Sequence, residues 1–96
     1  MKTLAEIKEI IQEHKKELEE KFKVKRIAIF GSYARNEQSN ESDVDILVEF
    51  SEPVGLLFFH LAEYLEELLG VKVDLVTPDA IKPNRQRYVM ENLIYA

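Results

Sequence analysis

Between Thr3 and Phe22 the apolar residues Leu4, Ile7, Ile10, Ile11, Leu18 and Phe22 recur at steps of three, four and seven. That spacing gathers them into one stripe along a helix spanning residues 3 to 22. Thr3 and Glu6 have the spacing of a capping box at its start. Glu17 with Lys21 and Glu19 with Lys23 form favourable i,i+4 pairs, so the charge-dense stretch from Glu13 to Lys25 reads as the solvated face of that helix. The pattern changes at Val24. The segment VKRIAIF, ending at Phe30, is rich in β-formers and too short for a helix, and it stops at Gly31-Ser32, where glycine permits a sharp turn. Ser32 to Arg35 is compatible with one helical turn, and Asn36 to Glu41 is a polar loop. From Ser42 to Phe50 the chain alternates, with Val44, Ile46, Val48 and Phe50 on one face and Asp43, Asp45, Leu47 and Glu49 on the other. This is the pattern of a half-buried strand.

Ser51-Glu52-Pro53 breaks that strand, and Gly55 to Leu69 reads as an apolar helix closed by Gly70. Val71 to Thr77 is a third strand ended by Pro78, and Pro83 opens a last helix over Asn84 to Leu93, where its missing N–H costs least. The order αβ(α)βαβα predicts an α+β fold: a small three-stranded mixed sheet with helices packed mainly on one face. The 15-residue helix suits a parallel crossover between the second and third strands. The shorter connection between the first two suits an antiparallel return. At 96 residues the chain has apolar surface for one core, so 1–96 reads as a single domain.

Thirteen basic and 18 acidic side chains leave a formal charge of -5, which weighs against non-specific nucleic-acid binding as the main activity. The chain has no cysteine, which excludes disulfide frameworks, thiolate zinc sites and cysteine nucleophiles, and fits a reducing cytoplasm. No apolar run approaches the roughly 20 residues that cross a bilayer, so no membrane role is expected.

The chemistry concentrates in Gly31-Ser32-Tyr33-Ala34-Arg35, then Ser42-Asp43-Val44-Asp45, and a further aspartate at Asp74 in the third strand. Asp43 and Asp45, two apart on a strand, project from one face with Cα atoms roughly 6 to 7 Å apart. With a parallel third strand, Asp74 reaches a similar level, and Gly31-Ser32 meets the start of the second strand. Three acidic groups so close repel one another. A divalent ion relieves this, and carboxylates with water and substrate phosphate are the hard oxygen ligands that Mg²⁺ prefers. Two such ions about 4 Å apart could stabilise both the attacking and the leaving oxygen at phosphorus. Gly31 lets the backbone approach a phosphate, Ser32 offers its hydroxyl and N–H, and Arg35 can neutralise phosphate charge.

GSYAR followed by SDVDILV, with the third aspartate in KVDLVTP, resembles the nucleotidyltransferase fold of the DNA polymerase β superfamily. The likeness is greatest to its minimal nucleotidyltransferases, small stand-alone domains often encoded beside a HEPN-type ribonuclease toxin. The resemblance implies that Gly31 and Ser32 hold the nucleoside triphosphate and that Asp43 and Asp45 bind Mg²⁺. It also implies that Asp74 binds metal while helping to deprotonate the acceptor hydroxyl. It further implies an antitoxin that transfers AMP from ATP to a tyrosine hydroxyl of its partner toxin. Two other outcomes remain open: an antitoxin that only masks its partner, and transfer to nucleic acid or a small molecule. Many relatives carry glycine after the arginine. Here Asn36 stands there, and asparagine tolerates the positive φ that such a turn needs.

The remaining residues have competing readings. Arg35 is either a phosphate ligand or a surface residue. Tyr33 either packs or stacks on a base, with packing favoured, while His14, His60 and Glu49 read as boundary or solvated positions. Lys82, Arg85 and Arg87 form a basic cluster at the start of the last helix that touches a triphosphate or an acidic partner, or is merely solvated. Leu57, Phe58 and Phe59 give the middle helix more apolar surface than one face needs, to be shared between core and interface.

Overall fold

The helical stripe at the start of the chain is interrupted once. The computed structural model, which describes residues 2–96, has two helices there, α1 (Leu4–Glu13) and α2 (Lys15–Phe22), joined at His14. The stripe has no apolar residue between Ile11 and Leu18, so polar side chains tie the intervening turn to the core instead: the His14 ring meets Tyr64 edge-on and Lys15 Nζ donates to the Ala96 main-chain oxygen. His14 leaves helical geometry there, and its ring Nδ1 lies 2.9 Å from the Ile10 carbonyl oxygen. Both arms of the expected capping box form at Thr3 and Glu6.

The remaining elements follow as β1 (Val24–Phe30), α3 (Gly31–Ala34), β2 (Val44–Phe50), α4 (Leu57–Leu69), β3 (Val73–Val76), a 3₁₀ turn (Pro78–Ala80), α5 (Pro83–Glu91) and β4 (Ile94–Tyr95). The sheet order is β3-β2-β1-β4, with β1 antiparallel to β2 and β2 parallel to β3 across α4. The α+β architecture and both expected strand relationships are therefore present. The sheet has four strands rather than three, because Ile94 and Tyr95 pair antiparallel with Ile29 and Ala28. A two-residue strand is too short to announce itself through alternation.

Strand alternation places different chemistry on the two faces. Ile27 and Ile29 of β1, Val44, Ile46 and Val48 of β2 and Leu75 of β3 point to α1, α2 and α4, where they meet Ile7, Ile11, Leu18, Leu61, Leu65 and Leu69. Each fully buried Leu or Ile contributes roughly 1.5–3 kcal/mol relative to exposure, so this layer carries most of the stability. Tyr33 joins it at 2% exposure and is a packing residue. On the opposite face Phe30, Leu47 and Val89 form a smaller cluster with Val76, Ile81 and Leu93. That cluster seats α5 on the second face. The aspartates share this face, so one end of it is apolar and covered while the other is polar and open.

Candidate active site

Chain direction builds the site before any side chain is considered. β1 ends at Phe30, whose register partner is Asp45, and in the parallel ladder Asp45 is the register partner of Asp74. Register partners on adjacent strands point to the same face and lie about 4.8 Å apart along the sheet. Asp45 and Asp74 are thus neighbours beside the turn that follows β1. Asp43 precedes β2 and is exposed, with its charge close enough to act on Asp45.

Gly31 lies against this pair with φ of 71°. A Cβ built at Gly31 would collide with Oδ2 of Asp45 and come within 3.0 Å of its Cγ. Glycine is required here on two counts: the left-handed backbone and the absence of space. The turn continues through α3 and closes at Asn36, whose φ of 57° meets the expectation for asparagine in place of glycine.

These groups border a cavity of about 430 Å³ lined by Gly31, Ser32, Arg35, Asp45 and Asp74 from the sheet side and by Lys82, Arg85 and Tyr88 from the α5 side. Asp45 has its pKa pushed up to about 6, first by burial, then by the charges of Asp74 and Asp43 and by a hydrogen bond with Asp74; Arg85 acts in the opposite sense. Such a site is short of positive charge at its carboxylate end, and its donors are hard oxygens, which fits a divalent cation of the magnesium type. Among the described residues no three carboxylate or imidazole side chains are grouped closely enough to enclose a metal. One or two carboxylates with water and phosphate oxygens are the usual surroundings of Mg²⁺, so the donor set remains suitable.

The sequence of residues 11–96 matches the nucleotidyltransferase domain family. The chain belongs to that family. The protein adenylyltransferase MntA of Thermococcus cleftensis is 50% identical to it over 96 residues, covering 99% of this chain and 97% of its own length. A solved structure provisionally described as a minimal nucleotidyltransferase superposes with a TM-score of 0.80 at 33% identity, over 97% of this chain and 95% of that one. A toxin-antitoxin crystal structure with AMP-PNP superposes with a TM-score of 0.69 at 25% identity, over 88% of this chain and 70% of that one.

Within this nucleotidyltransferase domain the structure brings together Gly31, Ser32, Arg35, Asp45 and Asp74 around one cavity; Asp43 does not line it and reaches the site only through the effect of its charge on Asp45. Arg35 is committed elsewhere in part: its Nε lies 3.4 Å from Glu37, and its guanidinium both contacts the Tyr88 hydroxyl and stacks 5.4 Å from that ring's centre. Lys82, Arg85 and Tyr88 belong to the cavity wall, whereas Arg87 pairs outward with Glu91 at 3.1 Å. Their charge was visible in the sequence. Their position was not, because it depends on α5 folding back across the aspartate face through Val89. Glu49 pairs with Arg26 across the strands at 3.0 Å, on a partly solvated surface. Among the described residues no helix is long and apolar enough to cross a membrane.

Proposed function

We propose that this chain is a Mg²⁺-dependent protein adenylyltransferase that moves AMP from ATP to a tyrosine hydroxyl of a HEPN-type toxin and so acts as an antitoxin. The reading is carried by the lateral pairing of Asp45 and Asp74 beside the Gly31-Ser32 turn in one cavity. The activity named for the Thermococcus relative supports a protein acceptor, and the AMP-PNP in the toxin-antitoxin structure supports ATP as donor. The tyrosine and the HEPN-type partner follow from the motif resemblance.

Asp43, Asp45 and Asp74 would each supply a carboxylate to the two Mg²⁺ ions expected, one or two per ion with water and phosphate oxygens completing the set, and the bound cations would supply charge neutralisation for transfer at phosphorus. Gly31 allows the backbone to approach the triphosphate without a side chain in between. Ser32 presents its hydroxyl to the same oxygens, and Arg35 contributes positive charge at the rim. The tyrosine oxygen attacks the α-phosphorus in line, the bond to pyrophosphate breaks, and Asp74 accepts the hydroxyl proton. The chain's contribution is positioning and charge, which is what nucleotidyl transfer requires.

The test is to mix the chain, the partner toxin and ATP-Mg²⁺ and weigh the toxin by intact mass spectrometry. An AMP-sized gain that disappears with Asp43→Asn or Asp45→Asn is expected. Transfer that persists when both aspartates are replaced refutes the mechanism. A second reading, neutralisation by masking alone, is favoured by Leu56 and Phe59, which are 75% and 61% exposed at the start of α4. It predicts loss of toxicity with no mass gain.

A further inference from the structure

The cavity has two electrostatically different walls. Its sheet side carries Asp45 and Asp74, and its α5 side carries Lys82 and Arg85. Lys82 is the residue before α5 and Arg85 the third residue within it, a spacing that places both on one side of the helix start. Arg87, two positions on, faces away and is satisfied by Glu91. Arg26 and Arg35 likewise have carboxylate partners, in Glu49 and Glu37. Among the described residues Lys82 and Arg85 have none. The first turn of α5 has no acidic residue to neutralise them. Two unpaired cations thus converge on a cavity whose other wall repels anions.

A nucleoside triphosphate needs both walls. Its α-phosphate, held with a cation, belongs beside the aspartates, but the rest of the polyphosphate remains negative and is repelled by that wall. We propose that Lys82 and Arg85 form the subsite for the β- and γ-phosphates of the donor and so select a triphosphate over a monophosphate. This rests on the nucleotidyltransferase reading above. Arg85 suits the task because its planar fork meets two phosphate oxygens at once, and Lys82 adds a mobile point charge. Arg35, already engaged by Glu37 and Tyr88, is less free to serve there. The two cations would also hold the pyrophosphate after the α-phosphoryl group has left.

The experiment is calorimetric titration of the full chain, wild type, Lys82→Ala/Arg85→Ala and Arg85→Lys, with Mg²⁺ and three probes: a non-hydrolysable ATP analogue, inorganic pyrophosphate and AMP. The double variant should bind the ATP analogue and pyrophosphate about tenfold or more weakly, the loss of at least one charge-assisted contact. AMP affinity should stay within about twofold, and Arg85→Lys should recover part of the loss. Unchanged affinity for the ATP analogue overturns the assignment, including the case in which the variants instead lose their protein partner. An equal loss for AMP also overturns it, since that would mark a general distortion. Failure of the wild type to bind any of the three probes would refute the nucleotide site itself, whereas selective failure of the inference leaves the aspartate variants inactive as before.

Discussion

Asp45→Asn should make the metal-free protein more stable at neutral pH. In the folded state this carboxyl titrates at about 6 rather than 3.8, chiefly because it is half-buried and faces Asp74 and Asp43. The fold therefore holds the Asp45 proton more tightly than the unfolded chain does. Between pH about 4 and 6 the unfolded chain releases that proton while the folded one retains it, so stability falls as pH rises through this window and levels off above it. Two pH units at 1.36 kcal/mol each give about 3 kcal/mol. Solvent screening of a half-exposed group reduces this to about 1–2 kcal/mol. Asparagine has nearly the same shape, never ionises, and still offers an N–H to Asp74, so it keeps the contact and removes the penalty. Urea unfolding of both proteins in chelator at pH 4 and pH 7.5 separates the effects, since urea leaves charges unscreened. The two proteins should match at pH 4 within about 0.5 kcal/mol, and at pH 7.5 the Asn variant should be more stable by the amount above. A gap of the same size at both pH values, or none at pH 7.5, would refute the electrostatic argument.

Added Mg²⁺ should raise the unfolding midpoint of the wild type at pH 7.5 and leave an Asp45→Asn/Asp74→Asn variant unmoved, as differential scanning calorimetry would show; an equal rise in both would place the cation elsewhere. Gly31→Ala should destabilise the fold by about 1–2 kcal/mol through the left-handed backbone alone, and push the Asp45 carboxylate aside. Its transfer activity should fall by about two orders of magnitude in the mass assay. Thr3→Ala should cost about 1 kcal/mol in urea unfolding by removing the capping box of α1, with activity unchanged because the box is remote from the cavity.

The site was legible in the sequence to the degree that it is local. Gly31-Ser32 at a strand end and Asp45 on the polar side of an alternating strand are statements about neighbouring residues, which periodicity reports. Asp74 was reachable through one further step, because the length of α4 dictates a parallel β3 and hence a shared face. The break at His14 was less visible: a stripe that lacks one apolar contact still scores as a helix. β4 was hidden because two residues carry no period, and its pairing with β1 is set by where α5 delivers the chain. Lys82 and Arg85 show the same limit. Their charge is written in the sequence, but only the docking of Val89 against Phe30 and Leu47 turns them toward the aspartates.

Because Asp45 and Asp74 are opposite numbers in a backbone ladder, the gap between them is a ruler cut into the sheet rather than a distance negotiated by side chains. Stretching it means breaking the main-chain hydrogen bonds that tie the edge strand β3 to β2. Control over this chemistry is therefore best exerted at the doorway, by what is admitted past α5 and what is shut out, while the floor stays rigid.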